Sequence, residues 1–210
     1  MSKTSPLQRQ IDRQSPIITI PNPNLRLISK PVTQIDKKTK QVLDDLRTVL
    51  TKSGGVGLAA PQINYQTQIF ATYLPHVIPN FSKSQKDPVR FFINPKITAT
   101  SPKKSFSKEN DGTYTLEGCL SLPGLYAPIP RYDWVDLTFQ EINPETNELT
   151  SPKTERFTNF YARNMQHEYD HLQGVLFTDY LRDNNIILYR ENPQTGKLEE
   201  VIDLDFIYAY

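Results

Sequence analysis

The chain has 210 residues, 37% hydrophobic and 22% charged, enough length and apolar content for a sizeable core and unlike a disordered polymer. Lys and Arg number 24 against 23 Asp and Glu, so a formal net charge of +1 removes whole-chain electrostatics as a basis for direct nucleic-acid binding. A lone cysteine excludes an internal disulfide and fits a reducing compartment, and no apolar run nears the ~20 residues that span a membrane.

The first forty residues are basic: Lys3, Arg9, Arg13, Arg26, Lys30, Lys37, Lys38 and Lys40 face only Asp12 and Asp36. Met1 to Gln14 lacks the apolar centre of a secretory signal; a solvated tail is expected there, with a basic organelle-targeting segment as the alternative. The expected compartment is a bacterial cytoplasm, with an organelle left open. From Asp36 the pattern turns helical, with Leu43, Leu46 and Leu50 at i, i+3 and i+7 and Gly54-Gly55 as the stop. Ile69 to Leu74 and Arg90 to Ile93 read as strands, separated by a surface loop at Pro75 to Pro88. Thr100 to Gly112 reads as a second polar loop.

Val135, Leu137 and Phe139 alternate with Asp136, Thr138 and Gln140, the period of a half-buried strand. A turn at Asn143 to Asn147 leads into a returning strand. Thr158 or Asn159 caps a second helix running to about Gln173, with Gly174 at its stop. Ile186 to Tyr189 and Val201 to Tyr208 are the last strand candidates, parted by a turn at Asn192 to Gly196. Strands and two separated helices without regular alternation give an α+β class, in one domain over residues 1–210.

The strongest chemical signal is His167-Glu168-Tyr169-Asp170-His171. On a helix, positions i and i+4 share a face, so two imidazoles can converge on one metal ion while Glu168 reaches a water beside it. The plain alternative is a helix whose histidines are satisfied by ordinary hydrogen bonds. Two histidines need a third ligand. The zinc-protease continuation His-x-x-Gly-x-x-His fails, because Phe177 stands where the third histidine belongs. A downstream carboxylate, Asp179 or Glu191, would suit another protease class. Upstream, Glu117-Gly118-Cys119-Leu120-Ser121 offers a thiolate, although a lone cysteine is ordinarily a small buried hydrophobe. A third island, Gly55-Val56-Gly57-Leu58-Ala59-Ala60-Pro61-Gln62, lacks the Gly-Lys-Ser/Thr ending of a phosphate loop. It reads either as a tight helix-to-strand connection or as a crowded pocket into which the Gln62 amide donates a hydrogen bond.

In this order, Gly55 to Gln62, Glu117 to Ser121 and Gln166 to His171 closely resemble the three motifs of the peptide deformylase family. The likeness extends from about Ile17 to Leu181. It implies mixed or antiparallel sheets packed around a central metal-binding helix, with an N-terminal helix. It further implies that Cys119, His167 and His171 hold one divalent metal ion, Fe²⁺ or a substituting Zn²⁺, Ni²⁺ or Co²⁺, with a water completing a tetrahedron. Glu168 would be the general acid/base in hydrolysis of the formyl group from N-formylmethionyl nascent polypeptides, releasing formate. The Gln62 amide and the Leu120 backbone N–H would hold the oxyanion. Gly57 and Gly118 would let the substrate backbone pair as an added strand, and hydrophobic side chains near Val56 and Phe160 would receive the methionine.

The resemblance has departures. Tyr126 stands where some relatives carry arginine, which bears on contacts to the substrate backbone. Arg131 or Arg163 would pair with Glu117. The acidic tail of Glu199, Glu200, Asp203 and Asp205 differs from the basic helix that some relatives offer the ribosome, so ribosome docking is an open expectation. Two other readings compete. A His-Glu-x-x-His metallopeptidase would need a ligand other than Cys119. A binding module with a closed structural site would need a fourth ligand, for which only His76 remains.

Overall fold

The computed structural model describes residues 16–73, 88–184 and 186–208. The expected tail at Met1 to Gln14, most of the expected loop at Pro75 to Pro88, and His76 lie outside the described residues.

Helix α1 (Lys37–Ser53) begins where the Asp36 carboxylate accepts the Thr39 N–H at 2.8 Å, and ends at Gly54 in the left-handed conformation, φ 71°. Its apolar stripe buries Val42, Leu43, Leu46, Val49 and Leu50. Three antiparallel strands follow: β1 (Gly57–Ala59), β2 (Ile69–Tyr73) and β3 (Val89–Thr100), the first two joined through a 3-10 turn at Ala60–Ile63. The chain then forms β4 (Lys104–Ser105), β5 (Glu117–Cys119), β6 (Leu122–Ala127), β7 (Arg131–Tyr132), β8 (Trp134–Gln140) and β9 (Lys153–Thr158). Helices α2 (Asn159–Leu172) and α3 (Asp179–Asn184), the hairpin β10 (Tyr189–Glu191) and β11 (Leu198–Glu200), and the single turn α4 (Asp205–Tyr208) complete it.

One sheet has the order β1-β2-β3-β8-β9, a second β11-β10-β6-β5, and β4 pairs with β7. All these ladders are antiparallel. The first sheet is covered on both faces. Leu58, Ile69, Ala71 and Ile93 pack with α1, while the alternate residues Ala59, Phe70 and Phe92 join Val135, Leu137 and Phe139 against Ala162, Met165 and Leu172 of α2. This double coverage makes β2 a continuous buried run rather than an alternating one. Helix α2 thus lies centrally, and the α+β expectation holds.

A leading strap, residues 16–30, crosses all three motif islands. Ile18 N–H donates to the Gln62 carbonyl at 2.8 Å, Ile20 N–H to Ser121 at 3.1 Å, and Ser29 N–H to Leu172 at 2.9 Å. Gly174, φ 71°, closes α2 against the strap: a Cβ there would lie 2.4 Å from the Arg26 carbonyl oxygen.

The chain adds a short helix, α3, where only two helices were expected, and departs from expectation in four further places. Strand β3 continues past Asn94-Pro95 because Asn94 takes a left-handed φ of 50° at a bulge, its side chain bonded to Val32 and Gln140. The polar loop from Thr100 contains β4, which pairs with β7. The strand expected at Ile186 to Tyr189 begins only at Tyr189, where it pairs with Tyr126. Val201 to Tyr208 is not a strand. There the Asp203 carboxylate accepts the Asp205 N–H at 2.9 Å, an Asx turn that starts the α4 helical turn.

Candidate metal centre

Helix α2 presents Phe160, Arg163, Asn164, His167 and Glu168 to a cleft of about 1910 Å³ that is bordered by Val56 and Gly57 near β1 and by Gly118 and Cys119 of β5. Gln166 turns the other way and clamps the helix, exchanging two 2.9 Å hydrogen bonds with the Tyr132 backbone. That clamp, with the apolar face of Ala162, Met165 and Leu172, fixes which side of α2 faces the cleft.

Cys119 stands at the tight connection between β5 and β6, and its Sγ lies 3.2 Å from His171 Nε2. One ligand atom each from Cys119, His167 and His171 all fall within 4.8 Å of one another, and these are the three residues so gathered among those described. A tetrahedral first-row ion, with bonds of about 2.0–2.3 Å, sets its ligands roughly 3.3–3.8 Å apart, so the donor set fits one metal ion with little movement. Asp179 does not join them; it accepts from Arg26 at 2.7 Å and from the Leu176 N–H at 2.9 Å. Glu191 stands on the cleft wall beside Tyr126.

The ligands have outer partners. His167 Nδ1 lies 2.7 Å from Glu117 Oε1; because a carboxylate can only accept, Nδ1 carries the proton and Nε2 is left with its lone pair for a metal. Glu117 is held in turn by Arg131, at 2.6 Å, and Arg163 stands 3.7 Å away, so both candidate arginines contribute. Arg131 also pairs with Asp170, and the Tyr180 hydroxyl bonds Asp170 at 3.0 Å. Burial alone would raise the Glu117 carboxyl, but the charges of Arg131 and His167 outweigh it and hold the group well below its usual range. The two imidazoles differ. Burial tends to lower both, yet with no cation in the site Glu117 and Cys119 carry His167 well above its ordinary value, favouring a proton on Nε2 that a metal would displace, whereas His171, beside His167 and Arg131, falls well below.

Glu168 is 2% exposed, and its Oε2 has no hydrogen-bond partner among the described residues. Burial pushes its carboxyl up to about 7, partly opposed by His167. A cation in the three-ligand site would draw it back down. Gln62, also 2% exposed, accepts the Ala59 N–H at 2.8 Å through Oε1, which aims Nε2 at Ser121 Oγ (3.2 Å) and Cys119 Sγ (3.5 Å). Its donor therefore points toward the ligand cluster. Leu120 follows Cys119 in the same connection and lines the cleft.

Both glycines are required by the protein's own packing. A Cβ on Gly57 would lie 2.2 Å from Glu168 Oε1, and one on Gly118 would lie 2.7 Å from the Tyr126 ring. Two groups escaped the sequence reading. Asp170 sat inside the helix motif without a role. Asn164, whose Oδ1 is also unpartnered among described residues, lies one turn from both Phe160 and Glu168, an i, i+4, i+8 register that could have revealed it.

Comparison with known proteins agrees with this geometry. The profile of the family Polypeptide deformylase matches residues 14–186. A peptide deformylase of Roseiflexus castenholzii is 36% identical over 176 residues, covering 80% of this chain and 88% of the relative. One of Wolinella succinogenes is 34% identical over 166 residues, covering 79% and 87%. Among solved structures, a peptide deformylase from Plasmodium falciparum superposes with TM-score 0.64 at 31% identity, over 78% of this chain and 84% of that one. The enzyme from Thermotoga maritima gives TM-score 0.62 at 28% identity, over 78% and 95%. With three motifs gathered on one cleft and relatives matched over most of their length, this chain belongs to the polypeptide deformylase family, metal-dependent hydrolases that remove the formyl group from nascent peptides.

Proposed function

We propose that the whole chain, 1–210, is one catalytic domain in which Cys119, His167 and His171 hold the ion, Glu168 moves the proton, and Gln62 with the Leu120 N–H holds the developing oxyanion. The observation that carries the assignment is the convergence of a thiol and two imidazoles, far apart in sequence, within 4.8 Å beside a buried carboxyl. When bound, the ion supplies Lewis-acid chemistry, acidifying water and polarising the formyl carbonyl. We assign Fe²⁺, with Zn²⁺, Ni²⁺ or Co²⁺ able to replace it, since a His₂Cys set of borderline and soft donors accepts all four.

The peptide lies between two sheet margins. Strands β1 and β5 each end their sheet's order and border the cleft, so an extended N-formylmethionyl chain can pair with both. The methionine side chain rests against Val56 and Phe160, the latter 47% exposed at the mouth. Glu168 takes a proton from the attacking water and returns it to the departing amine, giving formate and a free N-terminus. Gln62 Nε2 and the Leu120 N–H donate to the oxygen that gains charge, each worth about 3–4 kcal/mol of barrier.

The partner supplying substrate is the ribosome with its nascent chain. The C-terminal segment that would meet it carries Glu199, Glu200, Asp203 and Asp205 in β11 and around α4 rather than a basic helix. No described helix is long and apolar enough to cross a membrane. The need for a reduced Cys119 thiol supports a bacterial cytoplasm as the compartment.

Formate release from formyl-Met-Ala-Ser, run beside the unformylated peptide, tests the assignment. Formate from the first and no cleavage of the second is expected, whereas peptide-bond cleavage without formate would favour the metallopeptidase reading. Removing the ion with a chelator should abolish release and its return restore it. Cys119→Ser should weaken metal retention or change metal preference; unchanged affinity and rate would take Cys119 out of the ligand set. Gly57→Ala, whose Cβ collides with Glu168, should cut turnover ~10²-fold while the protein stays folded by circular dichroism.

A further inference from the structure

Helix α2 carries a polar side chain that the proposed chemistry leaves unused. Arg163 donates to the Ile129 carbonyl at 2.5 Å, Gln166 clamps the Tyr132 backbone, His167 meets Glu117, and Asp170 pairs with Arg131. Asn164 borders the cleft, and its Oδ1 is buried without a hydrogen-bond partner among the described residues. A buried amide oxygen left unpaired costs about 1–3 kcal/mol, which an apolar residue of the same size would not incur.

The position of Asn164 shows what it can reach. It precedes Glu168 by one turn on the same face, because positions i and i+4 are neighbours on a helix. A Cβ on Gly57 would lie 2.8 Å from Asn164 Nδ2 and 2.2 Å from Glu168 Oε1, so the amide nitrogen and the carboxylate oxygen flank one point at the β1 margin. Glu168 Oε2 is buried and unpartnered like Asn164 Oδ1. The other helix neighbours of Glu168 are committed: Met165 and Leu172 lie in the apolar core, and His171 is in the ligand cluster. The terminal torsions of Asn and Glu are soft, and catalytic hydrogen bonds commonly tighten only in the substrate complex.

Resting on the assignment of Glu168 to proton transfer, we infer that Asn164 is a positioning residue whose amide N–H donates to the Glu168 carboxylate when substrate is bound, setting it against the attacking water. An amide carries both a donor and an acceptor, so the same side chain holds the carboxyl before and after it takes the proton. Asn164 itself exchanges no proton and touches no reacting atom.

Steady-state kinetics on formyl-Met-Ala-Ser test this. Asn164→Leu keeps the size and removes the amide; kcat should fall about tenfold while KM stays within about twofold. Metal content and melting temperature should match the native protein. Asn164→Gln, which retains the amide, should recover most of the loss. Asn164→Asp, isosteric but without the donor, should fall at least as far as Asn164→Leu, and it carries the test if leucine disturbs the fold. In a Glu168→Gln background, Asn164→Leu should cost less than about twofold, because the carboxylate it orients is gone and the two losses do not multiply. A native kcat in both Asn164→Leu and Asn164→Asp, a loss carried by KM alone, or the same tenfold loss in both backgrounds would overturn the inference. A Glu168→Gln enzyme that turns over at the native rate would count instead against Glu168 as the proton carrier.

Discussion

Glu168→Ala should keep its metal and lose about 10²–10⁴-fold in kcat/KM for formate release. The carboxyl is 2% exposed, has an oxygen that no described residue satisfies, and is raised by burial while a bound cation would lower it, so that beside the ion it can accept a proton and return it. Nothing else on the cleft face of α2 can replace it: Asn164, one turn back, cannot exchange a proton near neutral pH. Glu168→Gln keeps the shape and should fail equally, which separates proton transfer from packing. Metal content by elemental analysis should match the native protein in both variants. A loss of less than tenfold with the metal in place would remove Glu168 from the proton path.

Arg131→Ala should destabilise the fold by about 3–5 kcal/mol, because it strands two carboxylates that the guanidinium now neutralises. Arg131 is 1% exposed, bonds Glu117 through two nitrogens, pairs with Asp170, and sits 4.8 Å from the Tyr180 ring centroid. The same change should weaken metal binding ~10–100-fold, since Glu117 orients His167. Arg131→Lys should recover part of the stability but not the two-pronged grip on Glu117. Denaturant unfolding and metal titration measure the two effects independently. A variant within 1 kcal/mol of the native protein, at equal metal affinity, would show the network to be incidental.

What could be read from the sequence was whatever a short window contains. The α1 stripe, the β8 alternation, the Asn143 and Asn192 turns and the His-Glu-x-x-His register are all set by neighbours within a few residues, and each reappears in the fold. Residue windows alone could not choose between Cys119 and a downstream acid as third partner to the imidazoles; only the resemblance did. That choice depends on the β5–β6 hairpin folding back beside α2, a contact 52 residues apart in the chain for Cys119 and His171. The Arg131–Asp170 pair and the Glu191–Tyr126 contact were illegible for the same reason. The misjudged C-terminal strand has a different cause: Val201, Ile202, Phe206 and Ile207 favour extension, but the local Asx turn at Asp203 redirects the backbone.

The strap over residues 16–30 contributes no side chain to the chemistry, yet its amides tie Gln62, Ser121 and Leu172 together. Hydrogen exchange of the Ile18, Ile20 and Ser29 amides should therefore be governed by one opening event rather than three. Proteolytic nicking before residue 30 would then disarm the enzyme while its two main sheets stay intact. The tolerance of this stretch to change is set by its backbone, so alteration there carries the weight usually reserved for ligands.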